Sequence, residues 1–131
     1  MAIDDAVLID TCIWEAYFRN SPSSEKSAVD DLIDDDRAAL IGPILAETLL
    51  GYRRDEHADW IGSVLESLHY LNVTWMDWNA AAKLGRRLAA NGHSLPLTDL
   101  AIAAVALNKD LAVYSTDPHF DLIAGLKHHT P

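Results

Sequence analysis

Four carboxylate residues stand at positions where an α/β chain could bring them together. Asp10 follows an unbroken run of four apolar residues, and Asp117 follows a later apolar segment. Glu47 and Asp99 lie in the early turns of two predicted helices. In open α/β sheets, ligands bind at the carboxyl ends of the strands. We therefore expect the four side chains to converge at one edge of a sheet.

Converging carboxylates repel one another, and two of them cannot easily ionise at one site without compensation. The usual compensation is a hard divalent cation, and magnesium and manganese prefer oxygen ligands. Such an ion positions a phosphate, lowers the pKa of a bound water and neutralises charge that develops during displacement. The set therefore favours phosphodiester hydrolysis. Asp10, Asp99 and Asp117 would hold the metal, while Glu47 would complete its shell or orient the attacking water.

Taken alone, three of these acids have ordinary interpretations. Asp99 could complement a helix dipole, Asp117 could cap a helix, and Glu47 could be a solvated helix residue. Asp10 is different, because a carboxylate that closes a buried strand needs a partner. The combination of all four is therefore a more specific signal than any one of them.

The elements that would position these acids alternate along the chain. An unbroken apolar run near the start is typical of a strand buried on both faces. Strands are predicted at 6–9, 38–42, within 70–75, at 111–115 and, as an edge strand, at 126–129. Helices are predicted at 11–20, 25–34, 43–52, 56–68, 77–90, 98–108 and 117–123, with Thr11, Ser24 and Thr98 as N-caps and left-handed residues at Asn91-Gly92. This alternation predicts a three-layer α/β fold, with a central parallel sheet of four to five strands flanked by helices.

Composition sets the limits on class and partners. The 131 residues, half of them hydrophobic, predict one domain spanning 1–131. The formal net charge of −10 argues against non-specific nucleic-acid binding through a basic surface and favours a cationic protein partner. Carboxylate-bound cations can nevertheless invert the local charge of a site. We find no signal-peptide pattern and no apolar stretch of about 18 residues, so we expect a cytoplasmic protein without a membrane span.

Four segments, in order, resemble the motifs of the PIN domain. They are Ile9-Asp10-Thr11, Ala46-Glu47, Thr98-Asp99-x-x-Ile102-Ala103-Ala104 and Ser115-Thr116-Asp117-x-x-Phe120. The length and order are similar to those of the VapC-type toxins of bacterial toxin–antitoxin pairs. This resemblance covers roughly residues 7–129. It implies a magnesium- or manganese-dependent ribonuclease with a parallel sheet, usually dimeric and held inactive by a VapB-type antitoxin. It also implies that Asp10, Glu47, Asp99 and Asp117 form the acidic site.

Four further residues lie close to these acids in the sequence. The hydroxyls of Thr11 and Ser115 could bond the carboxylates or the phosphate, and Ser115 stands where the family more often has threonine. His119 stands where many members carry another acid; we interpret it as a surface histidine, with contact to substrate or to an outer metal shell as the alternative. We expect Cys12, the only cysteine, to pack as a small apolar residue.

Aromatic residues mark a second candidate surface. Trp14, Tyr17 and Phe18 share one face of the first predicted helix. A core stripe is the simpler interpretation. The alternative is a hydrophobic patch that contacts a second copy of the chain or an antitoxin helix.

Two other functional classes remain as alternatives. A phosphoryl-transfer or signalling α/β domain would carry different residues: a haloacid-dehalogenase-type phosphatase needs an acid where Cys12 stands, and a receiver-like domain needs a lysine after a late strand, whereas Lys109 precedes the fourth. The third possibility is a PIN-like binding module without catalysis, against which the intact carboxylates argue.

Overall fold

The computed structural model describes residues 5–19 and 21–131. The first four residues, which bear on the expectation that no signal peptide is present, and Asn20, the predicted end of the first helix, lie outside the described residues. Among the helices of the described part, none combines the length and apolar character needed to cross a bilayer.

Five strands of the described chain form one parallel sheet in the order β3-β2-β1-β4-β5. In register, Leu8 lies opposite Ala39 on one side and opposite Val113 on the other. The strands are β1 Val7–Ile9, β2 Ala38–Ile41, β3 His69–Leu71, β4 Ala112–Tyr114 and β5 Lys127–His128. The predicted parallel sheet is therefore confirmed, including the short strand at its edge.

Helices connect the strands, as the alternating pattern predicted. Two helices separate β1 from β2, two separate β2 from β3, and two separate β3 from β4. The helices are α1 Thr11–Tyr17, α2 Ser24–Asp34, α3 Gly42–Leu50, α4 Asp55–Glu66, α5 Trp75–Ala90 and α6 Leu97–Lys109, followed by a 3₁₀ helix at Pro118–Leu122.

The core is built on the first two strands and on α6. Every residue of β1 and β2 is buried, which is typical of parallel strands covered on both faces. In α6, all residues from Leu100 to Ala106 are buried. Trp14 of α1 is completely buried and is one of the largest side chains in this core. The helix that carries Asp99 is therefore held firmly against the sheet.

Several predicted caps are wrong by one or two residues. Asp10, not Thr11, is the N-cap of α1, because its carboxylate accepts a hydrogen bond from the Thr11 amide. Ser23 rather than Ser24 caps α2. Thr98 lies within α6 and does not cap it. For α1 and α2 the two neighbouring residues are both good capping types, so composition alone does not select one. For α6 the N-cap is Pro96, and no side chain of the described residues caps this helix.

The fifth helix begins earlier than the sequence pattern suggested. Thr74 caps it by accepting a hydrogen bond from the Asp77 amide, and the Asp77 side chain accepts one from the Thr74 amide in return. This reciprocal capping box fixes the start at Trp75 instead of Asp77. At the other end Gly92 is left-handed, with φ of 85°, whereas Asn91 is not.

Candidate active site

The candidate site lies at the point in the sheet where the order of strand addition reverses. The strands after β1 add on one side of it, and β4 then pairs on the other side. Such a switch point leaves a crevice at the carboxyl ends of the two central strands. Asp10 directly follows β1, and its amide donates to the Tyr114 carbonyl at the end of β4, at 3.0 Å. Ser115 follows Tyr114, so both strand ends contribute polar side chains to this edge.

Asp10 is a buried carboxylate, 5% exposed, with both oxygens occupied. Oδ1 accepts from the Thr11 amide at 2.7 Å. Oδ2 accepts from Ser115 Oγ at 2.7 Å and lies 3.4 Å from the Cys12 thiol. Ser115 Oγ in turn accepts from the Asp117 amide at 2.9 Å. One hydroxyl therefore connects Asp10 to the segment that carries Asp117.

Asp99, Asp117 and His119 form the tightest group of charged side chains at this edge. The His119 Nδ1 atom lies 2.8 Å from Asp99 Oδ2 and 3.2 Å from Asp117 Oδ1. The His119 amide also donates to Asp117 Oδ1, at 2.9 Å. Among the described residues, one donor atom from each of the three lies within 4.8 Å of the other two.

Burial and neighbouring charges both act on the Asp99 carboxyl. Burial raises its pKa, and the negative charges of Asp10 and Asp117 raise it further, against the opposing effect of the His119 hydrogen bond. The pKa of His119 is also raised, chiefly by its hydrogen bond to Asp99. Positive charge is therefore favoured at this point of the site, whether it comes from imidazolium or from a metal ion.

Glu47 of α3 is held apart from this group. Its Oε1 atom accepts from the Thr11 hydroxyl at 3.1 Å, and its Oε2 atom accepts from the Thr98 hydroxyl at 2.9 Å. Thr98 directly precedes Asp99, so these bonds join α3 to the start of α6 beside the other acids. The Glu47 carboxylate is exposed and fixed in orientation, which suits a group that contacts substrate or water.

The donor set fits a divalent ion. Neighbouring ligands of an octahedral ion with bonds of about 2.1 Å lie roughly 3 Å apart. The separations of 2.8 and 3.2 Å between the His119 ring and the two carboxylates are of this size. Oxygen and imidazole donors together could hold a hard or borderline ion. Asp99, Asp117 and His119 offer the most closely spaced donors, and the Asp10 carboxylate, connected to the Asp117 segment through Ser115, is a further candidate ligand.

Three residues at this edge make contacts that their sequence positions alone did not predict. His119, interpreted as a surface histidine, is 39% exposed and also contacts Asp99 and Asp117. Cys12 packs against the core, as expected of a small apolar residue, and its thiol also faces the Asp10 carboxylate. Thr98, considered only as a helix cap, donates to Glu47. The directions of these three side chains depend on the tertiary structure. The one sequence feature that could have indicated the contacts is that each residue lies within three positions of a predicted site acid.

The aromatic stripe of α1 divides into a buried and a surface part. Trp14 is completely buried, in agreement with the core interpretation. Tyr17 and Phe18 are half-buried, and the Tyr17 hydroxyl donates to Asp30 at 2.8 Å. The Phe18 ring meets Trp60 of α4 edge-on, with ring centroids 6.0 Å apart.

Comparison with known proteins agrees with this geometry. The PIN domain family model matches residues 7–126. Ribonuclease VapC11 of Mycobacterium tuberculosis is 32% identical over 124 residues, which are 92% of each chain. The fold is similar to a chain of VapBC2 from Rickettsia felis, bound to a promoter DNA fragment, with a TM-score of 0.81, 19% identity, and coverage of 95% of this chain and 97% of that one. VapBC-5 of Mycobacterium tuberculosis, a toxin–antitoxin structure, gives a TM-score of 0.62 at 26% identity, with 93% of each chain covered. The chain therefore belongs to the PIN-domain family, as a relative of the VapC ribonucleases.

Proposed function

We propose that this protein is a divalent-metal-dependent endoribonuclease, the toxin of a toxin–antitoxin pair, which hydrolyses RNA phosphodiester bonds at its four-carboxylate site. One observation carries the proposal. Asp10, Asp99 and Asp117 lie at one sheet edge, connected through the Ser115 hydroxyl and the His119 ring. The identity of 32% with Ribonuclease VapC11 over nearly the whole chain supports RNA as the substrate.

In the proposed mechanism Asp10, Asp99 and Asp117 hold the metal, which is magnesium or manganese. When bound, the ion neutralises phosphate charge and lowers the pKa of a water molecule. Ser115 orients Asp10 through their 2.7 Å hydrogen bond. A divalent ion held by these carboxylates would offset their repulsion and would bind the RNA phosphate there, despite the acidic character of the chain.

Glu47 takes the role of orienting the attacking water. The Thr11 and Thr98 hydroxyls keep its carboxylate in one orientation, with both oxygens bonded. In the hydrolysis, the water oxygen bonds to phosphorus, one ester oxygen leaves, and Glu47 accepts a proton from the water. In Glu47→Gln the amide oxygen still accepts from one threonine hydroxyl, and the amide nitrogen donates to the other. The basic group is removed, so this variant should fold normally and lose most of its activity.

We further propose a VapB-type antitoxin as the partner, a homodimer as the assembly and the cytoplasm as the location. VapBC-5, similar over 93% of its length, belongs to a toxin–antitoxin family. The net charge of −10 suits a basic partner. Co-expression with the neighbouring open reading frame, followed by size-exclusion chromatography with light scattering, tests both assembly statements. Separate elution of the two proteins would contradict the antitoxin proposal, and a monomeric mass would contradict the homodimer.

Expression in cells followed by sequencing of RNA ends tests the function. Induction of the parent protein should create new RNA ends at defined positions and stop growth. Asp99→Asn should create none, while Asp31→Asn, which changes an exposed acid of α2, should act as the parent does. The same new ends with Asp99→Asn would contradict the proposed site, and no new ends with the folded parent would contradict the proposed activity.

A further inference from the structure

The imidazole of His119 occupies the position of a metal ligand. Its Nδ1 atom lies 2.8 Å from Asp99 Oδ2 and 3.2 Å from Asp117 Oδ1, so this nitrogen faces the two carboxylates, while the side chain as a whole is 39% exposed. The backbone amide of His119 is bonded to Asp117 Oδ1 at 2.9 Å. Pro118, between the two residues, restricts its own φ. The local fold therefore fixes the His119 backbone beside Asp117, and the ring is held by its own contacts to the two carboxylates.

We propose that His119 binds the divalent ion directly through Nδ1, which releases to solvent the proton it shares with Asp99 while Nε2 keeps its own. We also propose that this imidazole shifts the preference of the site from magnesium towards first-row transition ions such as manganese. The inference rests on the proposed function, since it assigns a ligand to the same metal site. It goes beyond the four carboxylates, because it makes a nitrogen donor part of the site.

The spacing of the three donor atoms favours direct binding of the ion by the His119 ring over displacement of the ring when the ion enters. An ion that entered between the carboxylates of Asp99 and Asp117 would meet Nδ1 at the distance of a neighbouring ligand. The alternative is that His119 only supplies positive charge and moves out when a metal enters. That alternative would require the ring to give up its contacts to both carboxylates while the His119 backbone stays bonded to Asp117 Oδ1.

The selectivity follows from ligand chemistry. Magnesium prefers oxygen ligands and gives up its waters reluctantly. Sites with nitrogen donors bind first-row transition ions with increasing affinity along the series from manganese to copper. Exchange of an acid for imidazole at this position therefore weakens magnesium binding more than manganese binding.

Electron spin-echo spectroscopy of bound Mn²⁺ tests the proposed bond. The parent protein loaded with Mn²⁺ should show modulation from a directly bonded ¹⁴N nucleus. His119→Gln should lose this signal, and His57→Gln should retain it, because His57 lies on α4 against the Tyr52 ring, away from the acids. Circular dichroism confirms that each variant is folded. Mn²⁺ bound to the parent without ¹⁴N coupling, or coupling that persists in His119→Gln, would overturn the proposal.

Competition between Mn²⁺ and Mg²⁺ tests the selectivity. In His119→Asp, which places an acid at this position, the preference for manganese should fall by about tenfold or more, since loss of even an indirect ligand partner has effects of that size. An unchanged preference would refute this part of the inference. Its failure is distinguishable from failure of the proposed function. RNA cleavage that requires Asp99 but occurs without ¹⁴N coupling refutes only the inference, whereas Mn²⁺ binding with coupling but without cleavage refutes only the function.

Discussion

A bound divalent ion should raise the melting temperature of this protein, and the length of the chain determines how large the rise is. The ion binds the folded site and has little affinity for the unfolded chain, so a hundredfold excess over Kd contributes about 2.7 kcal/mol. For 131 residues, unfolding entropy at roughly 2.1 cal/mol/K per residue amounts to about 0.28 kcal/mol/K. The expected rise is therefore about 10 °C.

Asp99→Asn is the variant that identifies the source of this rise. The amide is close in shape to the carboxylate but removes one metal ligand and one negative charge. In the folded protein the pKa of Asp99 is raised by burial and by Asp10 and Asp117. The resulting penalty on folding accumulates as the pH rises from the ordinary carboxyl pKa to the raised value, and it is fully present above that value. The metal-free variant should therefore melt no lower than the parent, while losing most of the response to metal.

Differential scanning calorimetry with and without Mg²⁺ or Mn²⁺, at matched ionic strength, measures both effects. Asp31→Asn provides the matched control, because it removes the same charge from an exposed position on α2 and should keep the full rise. An equal rise in Asp99→Asn would show that the ion binds elsewhere. A parent melting temperature that does not change at millimolar excess would refute the argument from repulsion.

Three further perturbations test separate parts of the structure. Ser115→Ala should weaken metal binding by about 10–100-fold in a direct titration, because Asp10 loses the hydroxyl donor that orients it. Ser115→Thr keeps a hydroxyl and should bind metal normally. Equal metal affinities of Ser115→Ala and the parent would contradict the orienting role. Trp14→Ala should lower the free energy of unfolding in urea by about 3–5 kcal/mol, since the side chain is completely buried; a loss below about 1 kcal/mol would contradict its place in the core. Burial and the bond to Asp30 raise the pKa of Tyr17 to about 12, so the contribution of Tyr17 to stability persists below pH 10 and is lost between about pH 10 and 12. Ultraviolet titration of the parent against Tyr17→Phe should locate this late ionisation, and an ordinary tyrosine pKa would show that the bond is absent.

The fold was predictable where one residue type dominates a segment. The apolar run before Asp10 is short and contains β-branched residues, which favours a buried strand. The apolar segment after Asp99 is longer, which favours a buried helix. Element boundaries were less accessible. Asp10 and Thr11 are both good helix caps, and the choice between them depends on the Ser115 hydroxyl, which is distant in sequence but directs the other Asp10 oxygen.

The positions of the four acids in the fold were predictable from the sequence, but the side chains that bond to them were not. Strand ends and helix starts placed all four at one edge, whereas the hydrogen bonds that join them come from side chains whose directions local sequence does not determine. Thr98 could have donated to its own helix but donates to Glu47, because α3 and α6 meet there. His119 turns towards Asp99 because the 3₁₀ helix begins at Pro118 and brings the ring back over α6.

Simultaneous titration of ion occupancy and RNA cleavage tests the central claim most directly. The purified protein is treated with a chelator, Mn²⁺ is added stepwise, bound Mn²⁺ is counted by electron paramagnetic resonance, and cleavage of an RNA identified by end sequencing is measured in the same samples. Cleavage should be absent without metal, should rise in proportion to the bound ion, and should disappear with Asp99→Asn. Cleavage that proceeds in the chelator, or that Asp99→Asn retains at the parent rate, would contradict the account.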